Sequence, residues 1–274
     1  MKTKKIVMIG AGNVAHHLAP ALLKAGFGLC QIYSRTPESA RELGMKTGIS
    51  FTHELFAVYP DCDIYIFTVK DDALSSLLKA IRVNANAIML HTSGSVPMNI
   101  FSGVSKQYGV IYPFQTFSKK RELVFKEIPL FVEASDKVAR KTIMLMASEL
   151  SDNVQEMSSE VRMRMHLAGI FANNFTNHLY RISENLVREH GLDFNVLRPL
   201  IYETAHKVMS LLPVEAQTGP AVRNDETIIN KHKQLLKDNK TLLSLYNLLS
   251  NSIRSSVSKE DSFVEIDDNQ LSLW

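Results

Sequence analysis

Cysteine is scarce in this 274-residue chain. The two present, Cys30 and Cys62, form no C-x-x-C pair and no metal-ligand spacing, which argues against a disulfide scaffold and a metal centre. Both fall in or beside predicted strands, so the expectation is buried, reduced thiols in a cytoplasmic protein. No window holds enough consecutive apolar residues to span a bilayer, and no membrane partner is expected. The formal net charge of +3 is too small to mark a nucleic-acid binder, and no Lys/Arg cluster interleaves with aromatics. No repeat or low-complexity tract occurs. Lys2 to Lys5 before an apolar run has the outline of a signal peptide, but Gly10, Gly12, Asn13 and the His16-His17 pair interrupt it. The remainder is an ordinary globular composition, sufficient for one large domain or two modest ones.

The glycines that interrupt that run have a reason to be there. Ile6-Val7-Met8-Ile9 is strand-like, Gly10-Ala11-Gly12-Asn13-Val14-Ala15 follows, and His16 to Leu23 continues with helical spacing. Strand, glycine turn and helix in that order form a diphosphate-binding unit. Gly10 permits the tight turn, Gly12 lets backbone amides approach a pyrophosphate, and small Ala15 lets the helix pack closely. Asn13 and Val14 open the helix, whose unpaired N–H groups attract anions.

A second absence bears on which dinucleotide. An NAD-binding unit carries an Asp or Glu about twenty residues on, at the end of the second strand. Here Leu29 to Tyr33 ends in Ser34-Arg35-Thr36, with no acid. Two hydroxyls around a guanidinium suit a 2′-phosphate, because Arg offers a planar fork of donors and can stack on adenine. The expected cofactor is therefore NADP(H). The plainer alternative is that Arg35 sits on a solvated turn before the helix at Pro37-Glu38.

Strands and helices alternate through residue 157, with strands at 48–51, 63–69, 87–90, 110–112, 128–133 and 153–157. Asp71-Asp72 read as an N-cap, and a helix is expected from Lys137 to Leu150. This pattern predicts a doubly wound, mostly parallel α/β sheet. From 158 to 257 the chain reads as all-α, with helices over 159–190, 195–212, 225–237 and 240–255. Residues 258–274 form an acidic tail whose Phe263, Ile266, Leu271 and Trp274 can dock. The apolar residues of the last helix spread around it, which suggests burial on two sides and a second subunit.

Ligands bind beyond the carboxyl ends of the strands in such sheets. Val69-Lys70 at one end is expected to pass along the cofactor. His91-Thr92-Ser93-Gly94-Ser95 and Pro113-Phe114-Gln115-Thr116 lie at two others, and all are open to an ordinary turn reading. On the long helix, His166, Gly169, Asn173 and Asn177 share a stripe with Ile170, Asn174 and His178 beside it. Leu167, Phe171 and Phe175 are expected to pack inward. The Asn pair either satisfies buried backbone or faces substrate. In Gln217-Thr218-Gly219-Pro220, and Arg223 after it, the guanidinium can take a carboxylate or pair with Asp225.

Together these motifs resemble the bacterial Rossmann-like proteins that carry a DUF2520 domain and are labelled NADP oxidoreductases. The chain is similar, more distantly, to pyrroline-5-carboxylate reductase and to the NADP-binding domain of F420-dependent oxidoreductases. The resemblance implies a Rossmann NADP domain, a helical C-terminal domain that forms a substrate wall, and a homodimer through those helices. The similarly built β-hydroxyacid dehydrogenases place a Lys one turn before an Asn, where this chain has Gly169 and Ile170. An imidazole or water must then move the proton. The expected catalytic set is His91, Ser93, His166 and Asn173, with Gln115, Thr116, Asn174, Thr218 and Arg223 toward a small carbonyl or imine substrate. The alternatives are a non-catalytic NADP(H)-binding sensor and an F420-linked oxidoreductase.

Overall fold

In β1 (Lys5–Ile9), Ile6 and Met8 point to one face and Val7 and Ile9 to the other, and all four are fully buried. A strand apolar on both faces needs helices on both sides. On the first face Ile6 and Met8 share a core with Leu18 and Leu22 of α1 (Asn13–Lys24), Leu43 of α2 (Pro37–Thr47), and Ile143 and Met146 of α4 (Lys137–Leu150). On the second, Val7 and Ile9 cluster with Leu74 and Leu78 of α3 (Asp71–Ala80) and with Phe101. Each such side chain contributes roughly 1.5–3 kcal/mol on burial.

The coordinates are a computed structural model, which describes residues 4–257. Eight strands run in the order β3 (Ser50–Thr52), β2 (Gly28–Tyr33), β1, β4 (Ile64–Phe67), β5 (Ile88–His91), β6 (Gln107–Pro113), β7 (Leu130–Ala134) and β8 (Val154–Glu156). Every neighbouring pair is parallel except β6 and β7. This is the doubly wound, mostly parallel sheet expected. The chain winds outward from β1 to β3, then restarts beside β1 at β4, so the switch point opens between those two strands.

Three local expectations change. Lys70 is the N-cap of α3, and Asp71 and Asp72 occupy its first turn, where carboxylates still face the positive helix end. The helix expected over 195–212 is a 3₁₀ turn, Phe194–Leu197, followed by α7 (Arg198–Lys207). The long helix is helical throughout but not uniform: α5 (Ser159–Gly169) passes into a π-helical turn, Ile170–Phe175, before α6 (Thr176–Arg188). Thr176 Oγ1 donates to the Phe171 carbonyl five residues back, at 3.0 Å, in keeping with the wider turn.

The expectation that Leu167, Phe171 and Phe175 pack inward is wrong, since they are 53%, 61% and 50% exposed. Polar groups, not an apolar stripe, join α5 to the sheet. Ser159 N–H and Oγ donate to Glu133 of β7, at 2.9 and 2.7 Å. Arg162, 1% exposed, pairs with the same carboxylate and donates to the Val96 carbonyl at 2.6 Å.

By packing, one compact unit ends at Arg181 and a second begins at Ile182, whereas the strand pattern ends near residue 157. The second unit contains α7, a four-residue α8 (Pro213–Ala216), α9 (Glu226–Leu235) and α10 (Lys240–Val257). Asp225 Oδ1 caps α9 by accepting from Ile228 N–H at 3.1 Å. Along α10, Leu242, Leu243, Leu245 and Tyr246 are half-buried, while Leu248 and Leu249 are exposed. Among the described residues no helix is long and apolar enough to cross a membrane. Cys62 is buried and Cys30 half-buried; both are free thiols with their sulfurs 3.6 Å apart. The acidic tail lies outside the described residues.

Candidate functional site

The glycine turn lies where β1 ends. Gly10 has φ +121°, and a Cβ there would approach Thr68 Oγ1 to 2.6 Å. Only glycine fits both the backbone and the space. Gly12 differs: a Cβ would meet nothing nearer than the Thr68 carbonyl oxygen at 3.9 Å. The protein's own packing does not demand glycine there, so its bareness keeps the mouth of a cavity clear. Gly12 is also the N-cap of α1, supplies no side-chain cap, and is followed by no acid in the first turn. The first amides of α1, at Asn13 and Val14, are therefore left for an anion.

That cavity has a volume of about 440 Å³. Gly10, Gly12, Ser34, Arg35, Thr36, Val69 and Lys70 line it, and of the residues expected at the cofactor Asn13 and Val14 do not. Thr68, Ser39 and one face of α3 complete the wall, and no sequence pattern had singled these out. Arg35 is exposed and forms no ion pair among the described residues. No carboxylate lines the cavity to take ribose hydroxyls. The donor set fits a dinucleotide with an additional phosphate on its adenosine side.

A second cavity, of about 220 Å³, opens at the end of β6 against α5 and the π turn. His166, Asn173, Asn174, Gln115 and Thr116 meet there with Tyr112, Phe114 and Gly169. The Asn pair is exposed rather than bonded to buried backbone. The π turn allows both consecutive amides to line one cavity, a local irregularity common at functional sites. Tyr112 Oη lies 3.0 Å from His166 Nδ1. Burial pushes the Tyr112 phenol up to about 12, against a weaker opposite effect of Arg162.

Two expected catalytic residues lie elsewhere. His91 is 1% exposed, its Nδ1 accepts from Ser93 N–H at 3.2 Å, and its ring lies 5.6 Å from that of Phe101. Burial, aided by the Arg162 charge, lowers its pKa to about 3. The ring is buried and held neutral, and His91 does not line the second cavity. Ser93 Oγ accepts from Ser95 N–H and Val96 N–H, both at 3.1 Å, and so knits the turn after β5. The ordinary turn reading accounts for both residues.

Gly94, which follows Ser93, packs closely against two residues of the second cavity. A Cβ on it would lie 2.7 Å from His166 Nδ1 and 2.8 Å from Tyr112 Cζ. Thr218 and Arg223 belong to the second compact unit. Arg223 is exposed and forms no ion pair among the described residues, and Asp225 is engaged as a helix cap instead.

Tyr112 and the Glu133–Arg162 pair were missed. Tyr112 sits at the carboxyl end of a strand, where sites gather, and Arg162 lies one turn before His166. Those positions were visible, but their partners are 54 and 29 residues distant in sequence.

Comparison with known proteins agrees with this layout. A family model described as NADP oxidoreductase, coenzyme F420-dependent, matches residues 5–93, and one described as a domain of unknown function, DUF2520, matches 128–253. The solved structure of a provisionally assigned NADP oxidoreductase from Bacteroides fragilis is 47% identical, with a TM-score of 0.88, over 93% of this chain and 99% of that one. A Thermotoga maritima protein is 20% identical (TM-score 0.78; 92% and 99% covered). A pyrroline carboxylate reductase from Plasmodium falciparum, solved with NADP bound, is 13% identical (TM-score 0.58; 93% and 99% covered). No curated protein matches the sequence. At nearly half identity over almost the full length of both chains, this protein belongs to the same NADP-oxidoreductase family as the Bacteroides fragilis protein, with a Rossmann-like sheet followed by a DUF2520 region.

Proposed function

We propose that the protein is an NADP(H)-dependent oxidoreductase acting on a small carbonyl or imine compound. The observation that carries this reading is the placement of both cavities along one row of strand ends. β1, β4, β5 and β6 are adjacent and parallel, with the glycine turn after the first and Tyr112 to Thr116 at the last. Three interstrand spacings separate the two strand ends by about 15 Å, so the nicotinamide half of an extended dinucleotide bound at the glycine turn points along this row toward the second cavity. The nicotinamide, when bound, supplies or accepts the hydride.

The chain's own residues supply the rest. Amides at the start of α1 hold the diphosphate, and Arg35 with Ser34 and Thr36 takes the 2′-phosphate. Asn173, Asn174, Gln115 and Thr116 orient the substrate's polar groups by hydrogen bonds. His166 handles the proton at the substrate's oxygen or nitrogen, a role suited to an imidazole near neutral pH.

We further propose that the exposed face of Leu167, Phe171 and Phe175 is covered by a second copy of the chain. A run of large exposed apolar side chains marks an interaction surface. The function is tested by titrating NADPH calorimetrically and then screening carbonyl and imine compounds for NADPH oxidation. Binding with turnover that His166→Gln abolishes is expected. Binding without turnover on any compound leaves a sensor, and turnover only with reduced F420 leaves the F420-linked oxidoreductase that the N-terminal family model names.

A further inference from the structure

Tyr112 carries no role in the reading above, yet among the described residues it is the hydrogen-bond partner of the His166 ring. We propose that Tyr112 is a positioning residue whose phenol O–H donates to His166 Nδ1. This places the ring's own proton on Nε2 and presents Nε2–H to the 220 Å³ cavity. The proposal rests on the reading of that cavity as the substrate pocket.

The geometry supports each part. Tyr112 belongs to the regular register of β6 against β7, directly opposite Phe131. Its ring lies against Phe131 with centroids 6.2 Å apart and edge-on to Phe114 at 6.1 Å. The phenol has little freedom to swing away. His166 meets it edge-on, with centroids at 6.0 Å and Oη 3.0 Å from Nδ1. Gly94 closes the third side, where a methyl group would overlap both rings. A phenol that keeps its proton well past neutrality has an O–H to donate, and the proposal makes Nδ1 its acceptor.

With Nδ1 occupied, Nε2 is the nitrogen available to a ligand. When the substrate is reduced, its oxygen or nitrogen takes the Nε2 proton. The phenol proton moves to Nδ1 as Nε2 loses its own; a solvent proton then returns to Nε2 while Nδ1 gives its proton back to the phenolate. No charge is left on the imidazole at any stage, and the protons balance.

The test reads the tautomer directly and needs no substrate. Protein carrying ¹⁵N-labelled histidine is examined by long-range ¹H–¹⁵N spectroscopy at pH 8, with the His166 signals identified by their loss in His166→Gln. The wild-type protein should show a protonated Nε2 and an unprotonated Nδ1. Tyr112→Phe should lose that preference while NADPH affinity stays unchanged. With any substrate found, Tyr112→Phe should lower kcat about tenfold or more and leave the KM for NADPH alone. A wild-type Nδ1–H tautomer, or a Tyr112→Phe spectrum identical to wild type, overturns the proposal. If Tyr112→Phe fails to fold, the wild-type spectrum decides by itself. A screen without turnover would defeat the proposed function and leave the tautomer result standing, so the two failures are distinct.

Discussion

Replacing Arg35 with alanine should weaken NADPH binding roughly 10- to 30-fold and leave NADH binding within about twofold. Arg35 lines the first cavity between two hydroxyl residues, where no carboxylate competes for the ribose. A hydrogen bond to a charged group contributes about 1.5–3 kcal/mol. Arg35 is exposed, so water screens the pair, and a value near the lower end, about 1.5–2 kcal/mol, applies. At about 1.4 kcal/mol per decade this gives the quoted range. Because the side chain has no ion pair among the described residues, stability should change by no more than about 0.5 kcal/mol. Isothermal titration of both dinucleotides into both proteins measures the ratio of ratios, and the difference should shrink as salt is raised. Arg35→Lys should recover only part, since a point charge cannot make the bidentate contact. Equal weakening of NADPH and NADH, or no change in either, would refute the assignment of a 2′-phosphate to this position.

Three further outcomes follow from the same geometry. Burial holds folded His91 at about 3, below its ordinary 6.5, so as pH falls below 6.5 the unfolded chain takes up a proton that the folded chain refuses. Stability should drop by up to ~1.4 kcal/mol per pH unit between about 6.5 and 3. Buried His16 acts in the same direction, so the check is a difference: in urea unfolding, His91→Gln should gain about 2 kcal/mol on wild type between pH 7 and 5, and parallel profiles would count against it. Glu133→Ala leaves the Arg162 guanidinium unpaired in the interior and should cost about 3 kcal/mol or more, seen as a lower thermal midpoint. Phe171→Asp with Phe175→Asp should shift sedimentation from dimer to monomer; a wild-type monomer would remove the proposed interface.

How far the site was legible depends on the distance over which each residue acts. Gly10 and Gly12 were readable because their requirement is local: a turn, a following helix and an approaching phosphate recur at fixed spacing. Arg35 was readable by its position at a strand end and by the missing acid. His91 misled because its loop carries hydroxyls and glycine at a strand end, the composition of a site and of any turn alike. Its register placed the imidazole inside, and Gly94 is the residue of that loop that packs closely against the second cavity. The aromatic face of the long helix misled for a related reason. An apolar stripe says that something must cover it, not whether the cover comes from the same chain.

By itself the sequence determined the period-2 and period-3.6 patterns, the glycine turn between strand and helix, and the absence of an acid at the end of the second strand. These follow from interactions between residues close along the chain, or from the alternation that any covered sheet imposes. Only the tertiary structure decided that Tyr112 and His166 lie within hydrogen-bond distance, that Asn173 and Asn174 of the π turn line one cavity, and that Arg162 and Glu133 join the helix to the sheet. Each of those depends on distances of a few ångströms between residues dozens of positions apart. Strand order and the hand of the crossovers set such distances, and no local pattern encodes them.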